Sequence, residues 1–259
     1  MRTIYREKKY ICGEYLDVYI FPTFRQAGQR SKKSKPTTEA QEKLNKRHAE
    51  EKLVRLLHAN FTPEDLELGL DYAVNPEDDE AAKRDVQNFI RRLKRLRQKL
   101  GLSPLKYIAV TEKSSRGRYH HHVTVSGGID RDMIEKLWGL GRANSKRLQF
   151  DENGVAALGH YIVKSPIFDK RWNASKNLID PPARTNDSRI SARTARELAA
   201  DTSVRQPFEK LYPDYILAEA TPFHNDVNGG IYIFARLYRK DGHFMRKPQR
   251  GDGKRRKKT

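Results

Sequence analysis

The residues of this chain best placed to do chemistry lie in Arg118-Tyr119-His120-His121-His122-Val123-Thr124-Val125-Ser126. The β-branched residues after the histidines predict a strand. Alternate residues of a strand share a face, so His120 and His122 stand about 7 Å apart at Cα and point the same way. Two imidazoles so spaced can hold one divalent cation, either a transition ion or Mg²⁺ or Mn²⁺ shared with a carboxylate and a phosphate. Glu112, on the preceding predicted strand, is the candidate oxygen ligand. Further along, Tyr161 and Lys164 are three apart in a predicted helix and share a face. A cation that polarises a phosphate, beside a phenol that attacks it and an ammonium that steadies it, describes phosphodiester transfer.

Each residue also has a plainer reading. Three histidines in a row can be solvated surface, and a tyrosine at the edge of a helix's apolar stripe is common. Here Val123 and Val125 share His121's face, which predicts a buried face there and leaves His120, His122 and Thr124 on the other. Glu112 is harder. Strict alternation groups it with Ile108 and Val110, whose face is expected to be buried, so a bulge would be needed to turn it toward the histidines. The alternative is a hairpin-end carboxylate paired with Arg116 or Arg118.

The 259 residues include 52 Lys+Arg against 33 Asp+Glu, a net charge of +19. Such an excess predicts a polyanionic partner, with nucleic acid the usual one. Hydrophobic residues make up only 37%, but they fall in periodic blocks, so a core with basic, solvated ends is expected. Cys12 is the sole cysteine, which excludes an internal disulfide framework and a cysteine-rich zinc site. With no long apolar run and no signal-peptide pattern behind Met1-Arg2, a soluble, cytoplasmic protein without membrane contact is expected.

The elements that must position these residues follow from periodicity. Tyr10–Phe21 reads as a strand, hairpinned with Thr3–Lys9 through Cys12-Gly13. Thr38 starts a helix to about Leu57. Leu66, Leu68, Leu70 and Tyr72 alternate along one strand face. A helix from Pro76–Glu80 to Leu100 buries Val86, Phe89, Ile90 and Leu93 and exposes Arg91, Arg92, Lys94, Arg95, Arg97 and Lys99. Strands over 106–112 and 119–126 flank an SSRGR turn. Asp130 caps a short helix, 143–150 is extended, and a helix containing Tyr161 follows. The β-α-β-β-α-β-α order predicts an α+β fold, an antiparallel ferredoxin-like sheet with helices on one face and the other face open. Two helices (191–200 and 205–212), weakly like a helix-turn-helix, and a hairpin around Asn228-Gly229-Gly230 are expected beyond it. Residues 239–259 carry 10 Lys+Arg against 2 Asp and read as an adhesive tail. The expected organisation is an N-terminal strand and basic loop (1–37), a central domain (38–175), a C-terminal helical and hairpin region (176–245) and a basic tail (246–259).

In this order these residues resemble the HUH-type endonucleases, specifically the single-tyrosine initiators of rolling-circle replication. DLELGLDY is similar to the family's first motif, His120-His121-His122 to its histidine pair around an apolar residue (here departing by a middle histidine), and Tyr161 with Lys164 to its third. The wider block is similar to replication-associated proteins of bacterial plasmids and phages, close to the filamentous-phage class. The resemblance implies a ferredoxin-like core and a divalent cation, Mg²⁺ or Mn²⁺, on Glu112, His120 and His122. It implies attack by Tyr161, leaving a 5′-phosphotyrosine and a free 3′-hydroxyl, and a partner that is single-stranded or hairpin origin DNA. A host polymerase and helicase are further expected partners. Arg91, Arg92, Arg95 and Lys99, with Arg116 and Arg118 in the turn, are the candidate phosphate contacts. Other readings stay open: a single-tyrosine transposase, a relaxase with three histidine ligands, a non-catalytic single-strand-binding module, or a charge-driven nucleoid protein. A binding module would show stacking aromatics on its central strands, where this chain has Glu67, Gly69 and Asp71.

Overall fold

The computed structural model describes residues 4–23, 39–162, 167–168, 171–201, 205–225 and 230–242. Its elements are β1 (Ile4–Cys12), β2 (Tyr15–Thr23), α1 (Glu39–Asn60), β3 (Leu66–Asp71), α2 (Asp79–Lys99), β4 (Tyr107–Lys113), β5 (Tyr119–Val125) and α3 (Arg131–Trp138). They continue with β6 (Ala143–Arg147), α4 (Ala156–Ile162), β7 (Asn173–Ala174), β8 (Arg184–Ile190), α5 (Ala192–Ala200), α6 (Gln206–Leu211), β9 (Tyr215–Asn225) and β10 (Gly230–Arg239). The class is α+β, built on two five-stranded antiparallel sheets. Among the described residues no helix is long and apolar enough to cross a membrane. Lys164, Thr38, the stretch 25–36, Asn228-Gly229 and the tail from 243 lie outside the described residues.

The first sheet has the order β6-β3-β5-β4-β7, with the expected β-α-β-β-α-β elements around β3 and β5. On one face, Leu66, Leu68, Leu70, Tyr72, Val123 and Val125 meet Val86, Phe89, Ile90 and Leu93 of α2 and Ile134 and Trp138 of α3. Each fully buried aliphatic side chain there contributes about 2 kcal/mol relative to exposure. Asp78 caps α2 by accepting from the Ala81 N–H at 2.7 Å, and Asp79 and Glu80 sit at the positive end of its dipole. Arg97, expected on the solvent face, is buried. Its guanidinium instead donates to the carbonyls of Ser103 at 2.9 Å and Ser126 at 3.0 Å, tying the helix end to the sheet edge.

The opposite face was expected to be open, and part of it is not. Leu53, Leu56 and Leu57 of α1, with Val155 and Ile162 beside and in α4, bury Ile108 and Val110 of β4. α4 lies close on α1 because Gly159 has no side chain: a Cβ there would meet Val54 Cγ2 at 2.6 Å. The packing leaves the β3 side of the face less covered, where Glu67 and Gly69 are partly exposed.

The N-terminal hairpin and the C-terminal strands, widely separated in sequence, join in the second sheet, of order β8-β1-β2-β10-β9. The turn falls at Gly13-Glu14, so Tyr10–Cys12 closes β1 rather than opening β2. Pairing across that distance leaves no periodic trace, which is why these strands read as separate appendages. Inside the sheet, Asp17 and Arg236 are cross-strand neighbours and form a buried two-pronged ion pair at 2.8 and 3.2 Å. α5 and α6 pack Ala195, Leu198 and Phe208 into the sheet's core, so the helix-turn-helix reading fails: the faces that would present a recognition helix are buried. β8 was not anticipated, since its residues are polar and mostly exposed.

α1 also touches the second sheet. Glu51 accepts from the Tyr19 hydroxyl at 2.9 Å, Arg55 donates to the same oxygen at 2.8 Å, and His58 stacks on Tyr15 with ring centroids 4.3 Å apart. His58 Nε2 accepts from the Val155 N–H at 3.0 Å. Burial holds the His58 pKa well below the usual imidazole value, so the folded protein keeps this ring neutral. Below about pH 6.5 the unfolded chain therefore binds a proton that the fold refuses, and stability falls as pH falls. The slope is up to about 1.4 kcal/mol per pH unit for each such ring. Thermal melting between pH 7.5 and 5 is expected to show this loss, and His58→Gln, which keeps an acceptor but cannot titrate, is expected to flatten it.

Candidate metal and nucleophile site

The β4–β5 hairpin brings the three predicted ligands together. Glu112 pairs directly with His120, Val110 with His122 and Ile108 with Thr124, in an unbroken register. Directly paired residues share a face, so Glu112 stands with His120 and His122 by simple alternation. The bulge expected from the sequence is absent. Its premise was that Ile108 and Val110 face α2, whereas they face α1 and α4.

The Glu112 carboxylate oxygen Oε2 lies 3.1 Å from His120 Nε2 and 3.9 Å from His122 Nε2. One donor atom from each residue falls within 4.8 Å of the others. Two atoms bound to one ion at about 2.1 Å each are separated by no more than about 4.2 Å, so both measured pairs already fit a shared cation. His122 supports that fit further: both its ring nitrogens are buried and have no hydrogen-bond partner. A polar group left so is costly unless something ligates it. Two imidazoles and a carboxylate suit a divalent ion, and sequence reasoning named all three.

Glu67 was missed as part of this cluster. Its Oε1 is 3.5 Å from His122 Nδ1, on the side away from Glu112 Oε2. A carboxylate behind a metal-binding imidazole orients the ring and raises its basicity. The signal was available: Glu67 alternates outward from Leu66 and Leu68, and β3 pairs with the histidine strand. Gly69 lies directly opposite His122, and a Cβ there would meet nothing within 4 Å, so the backbone leaves space beside that ring.

His121 belongs to the other face. It is buried, with Nε2 2.8 Å from the Tyr72 hydroxyl, Nδ1 2.9 Å from Thr111 Oγ1, and Trp138 at 5.6 Å between ring centroids. Burial, and then the neighbouring imidazoles His120 and His122, push its pKa down to about 3. Both nitrogens are used, so a third histidine ligand has no geometry to support it.

Tyr161, in the last turn of α4, reaches the same side of the sheet. Its ring stands edge-on to His122 with centroids 5.2 Å apart, and the residue is 59% exposed. α4 can present it because Ile162 and Gly159 anchor the helix on α1 while Tyr161 points outward. His160 turns away toward Glu50, at 3.7 Å.

The basic residues divide. Arg116 and Arg118 are exposed in the turn that joins β4 to β5, at the Glu112–His120 end of the hairpin, and Arg118 donates to the Tyr72 carbonyl at 3.1 Å. Arg91, Arg92, Arg95 and Lys99 are exposed on α2, which covers the opposite face of the sheet, and are not brought to the cluster.

Residues 65–166 match the model of a replication-associated protein family, the ORF2 family. The match begins one residue before β3 and takes in Glu67, Glu112, the three histidines and Tyr161. It covers less than half of the chain and leaves the second sheet outside it. No curated protein and no solved structure matches the chain.

Mn²⁺ titration by calorimetry is expected to give one site, weakened at least about tenfold by Glu112→Ala or His122→Ala. His121→Ala is expected to act on stability instead. It removes a buried ring and strands the hydroxyls of Tyr72 and Thr111, costing about 2–4 kcal/mol by denaturant unfolding.

Proposed function

We propose that this chain is a metal-dependent, single-tyrosine HUH endonuclease that nicks and rejoins a DNA strand to start rolling-circle replication. The observation that carries the reading is the edge-on contact of exposed Tyr161 with His122, a residue of the one Glu/His cluster found among the described residues. The replication-associated family match over the same residues supports a role in replication. We assign the activity to residues 38–175, with 1–37, 176–245 and 246–259 outside the catalytic unit.

A divalent cation, Mg²⁺ or Mn²⁺, held by Glu112, His120 and His122 would polarise the scissile phosphate and offset the charge that builds on the leaving oxygen. The Tyr161 oxygen attacks phosphorus in line and gives its proton to solvent. The bond from phosphorus to the 3′ oxygen breaks, and that oxygen takes up a proton. The products are a 5′-phosphotyrosine and a free 3′-hydroxyl that a host polymerase can extend once a host helicase opens the duplex. Because a phosphodiester is exchanged rather than hydrolysed, the reverse attack rejoins strands. Glu67 holds His122 in its ligating orientation. Lys164, one turn beyond Tyr161 in the sequence, is assigned to the phosphate charge. Arg116 and Arg118 are assigned to the DNA backbone near the cluster, and Arg91, Arg92, Arg95 and Lys99 to phosphates of a strand that wraps the sheet edge.

A relaxase with three histidine ligands is disfavoured by the engagement of His121 with Tyr72 and Thr111. A non-catalytic binding module has no use for an exposed tyrosine against the histidine cluster.

Wild type and Tyr161→Phe incubated with labelled single-stranded DNA from the encoding replicon test the proposal. Wild type is expected to cleave in Mn²⁺ but not in EDTA and to form a covalent protein–DNA adduct on a denaturing gel. The variant is expected to bind the DNA and form no adduct, with cleavage at least about 10³-fold slower. Equal cleavage by both proteins would assign the nucleophile elsewhere, and no cleavage in any metal would exclude an endonuclease.

A further inference from the structure

We propose that the second sheet carries a separate binding surface for single-stranded nucleic acid, formed by Phe21, Phe223, Tyr232 and Phe234 with Arg47 and His48 of α1 at its rim. Strand pairing places these rings on one face. Phe234 is opposite Tyr19 and Thr221, and Tyr232 is opposite Phe223, while the alternate residues Leu16, Val18, Ile20, Ile233 and Ala235 fill the core under α5 and α6. α1 closes only one end of the aromatic face. There Arg55 lies 4.3 Å over the Tyr10 ring and donates to the Tyr19 hydroxyl. The other end is a groove of about 500 Å³ lined by the six named residues together with Tyr19 and Thr221. Phe223 is 58% exposed in it, with Tyr232 edge-on at 6.2 Å between centroids.

Aromatic side chains left in water on a protein of net charge +19 have a chemistry of their own. Nucleobases stack on such rings without regard to sequence, and cations at the rim meet the phosphates between them. Arg47 is half-exposed at this rim and pairs with Glu51 through Nε at 3.0 Å. A duplex, with its bases already stacked, cannot use the face in this way. The aromatic set that a single-strand-binding sheet needs is thus absent from the histidine sheet, where Glu67, Gly69 and Asp71 stand, and present on its neighbour. The surface lies outside the family match and does not depend on Tyr161 or on a metal.

The test is anisotropy of a labelled 15-nucleotide oligodeoxythymidine with the full chain in EDTA, at low and at high salt. Phe223→Ala and Tyr232→Ala are each expected to bind at least about fivefold more weakly at both salts, with unchanged melting temperature. Phe223→Trp, which keeps a stacking ring, is expected to bind as well as wild type or better. Unchanged affinity with a lowered melting temperature would overturn the proposal, because the rings would then be packing against their own chain. Unchanged affinity with a shift from dimer to monomer on size exclusion would make the face an interface between copies. Equal binding of a duplex of the same length, lost alike by all proteins at high salt, would reduce the interaction to charge alone.

Discussion

The register of the β4–β5 hairpin is the constraint on which the site depends. With Glu112 opposite His120 and Val110 opposite His122, one carboxylate and two imidazoles converge on a single face. A slip of one residue would exchange His121 for its neighbours and bury the two ligands among Leu68, Leu70 and Trp138. Both faces resist that slip. Val123 and Val125 are held in the α2 core, and His121 is pinned by two hydrogen bonds. On the other side, Ile108 and Val110 are held under α1. The middle histidine, the one departure from an apolar residue between ligands, thus acts as a polar peg that fixes the alternation.

α1 couples this face to the rest of the molecule. Its apolar residues Leu53, Leu56 and Leu57 cover β4 and support α4, while Glu51, Arg55 and His58 reach the second sheet. One helix therefore sets how Tyr161 approaches the histidines and how much of the second sheet stays uncovered. Two costly features accompany it. His58 must remain neutral between Tyr15 and Val155, and the Asp17–Arg236 pair is fully buried in the sheet that α1 contacts. Removing one partner of such a pair costs about 3–5 kcal/mol, so it constrains the sheet even where it adds little net stability.

Local patterns made most of the first sheet legible. The Leu66–Leu68–Leu70 alternation, the α2 stripe, the Asp130 cap and the valines after the histidines each report on neighbours a few residues away. The ligand set was legible for the same reason. What escaped was long-range. Nothing in Ile108 or Val110 says which of two helices will cover them, and that ambiguity made Glu112 look misplaced. The pairing of β2 with β10 joins residues more than 200 positions apart, so neither the second sheet nor the Asp17–Arg236 pair could be read from periodicity. Arg97 misled because its charge suggested solvent, whereas three backbone carbonyls at the helix end supplied its partners. The ring contact of Tyr161 with His122 links segments whose proximity depends on Gly159 lying close on α1, a packing detail without a sequence signature.

The most direct test of the central claim is anomalous diffraction from crystals grown with Mn²⁺. One strong peak is predicted within bonding distance, about 2.2 Å, of Glu112 Oε2 and the Nε2 atoms of His120 and His122, with the Tyr161 hydroxyl on the same side of the sheet. A peak on His121, or no peak between the three residues at saturating Mn²⁺, would contradict the account.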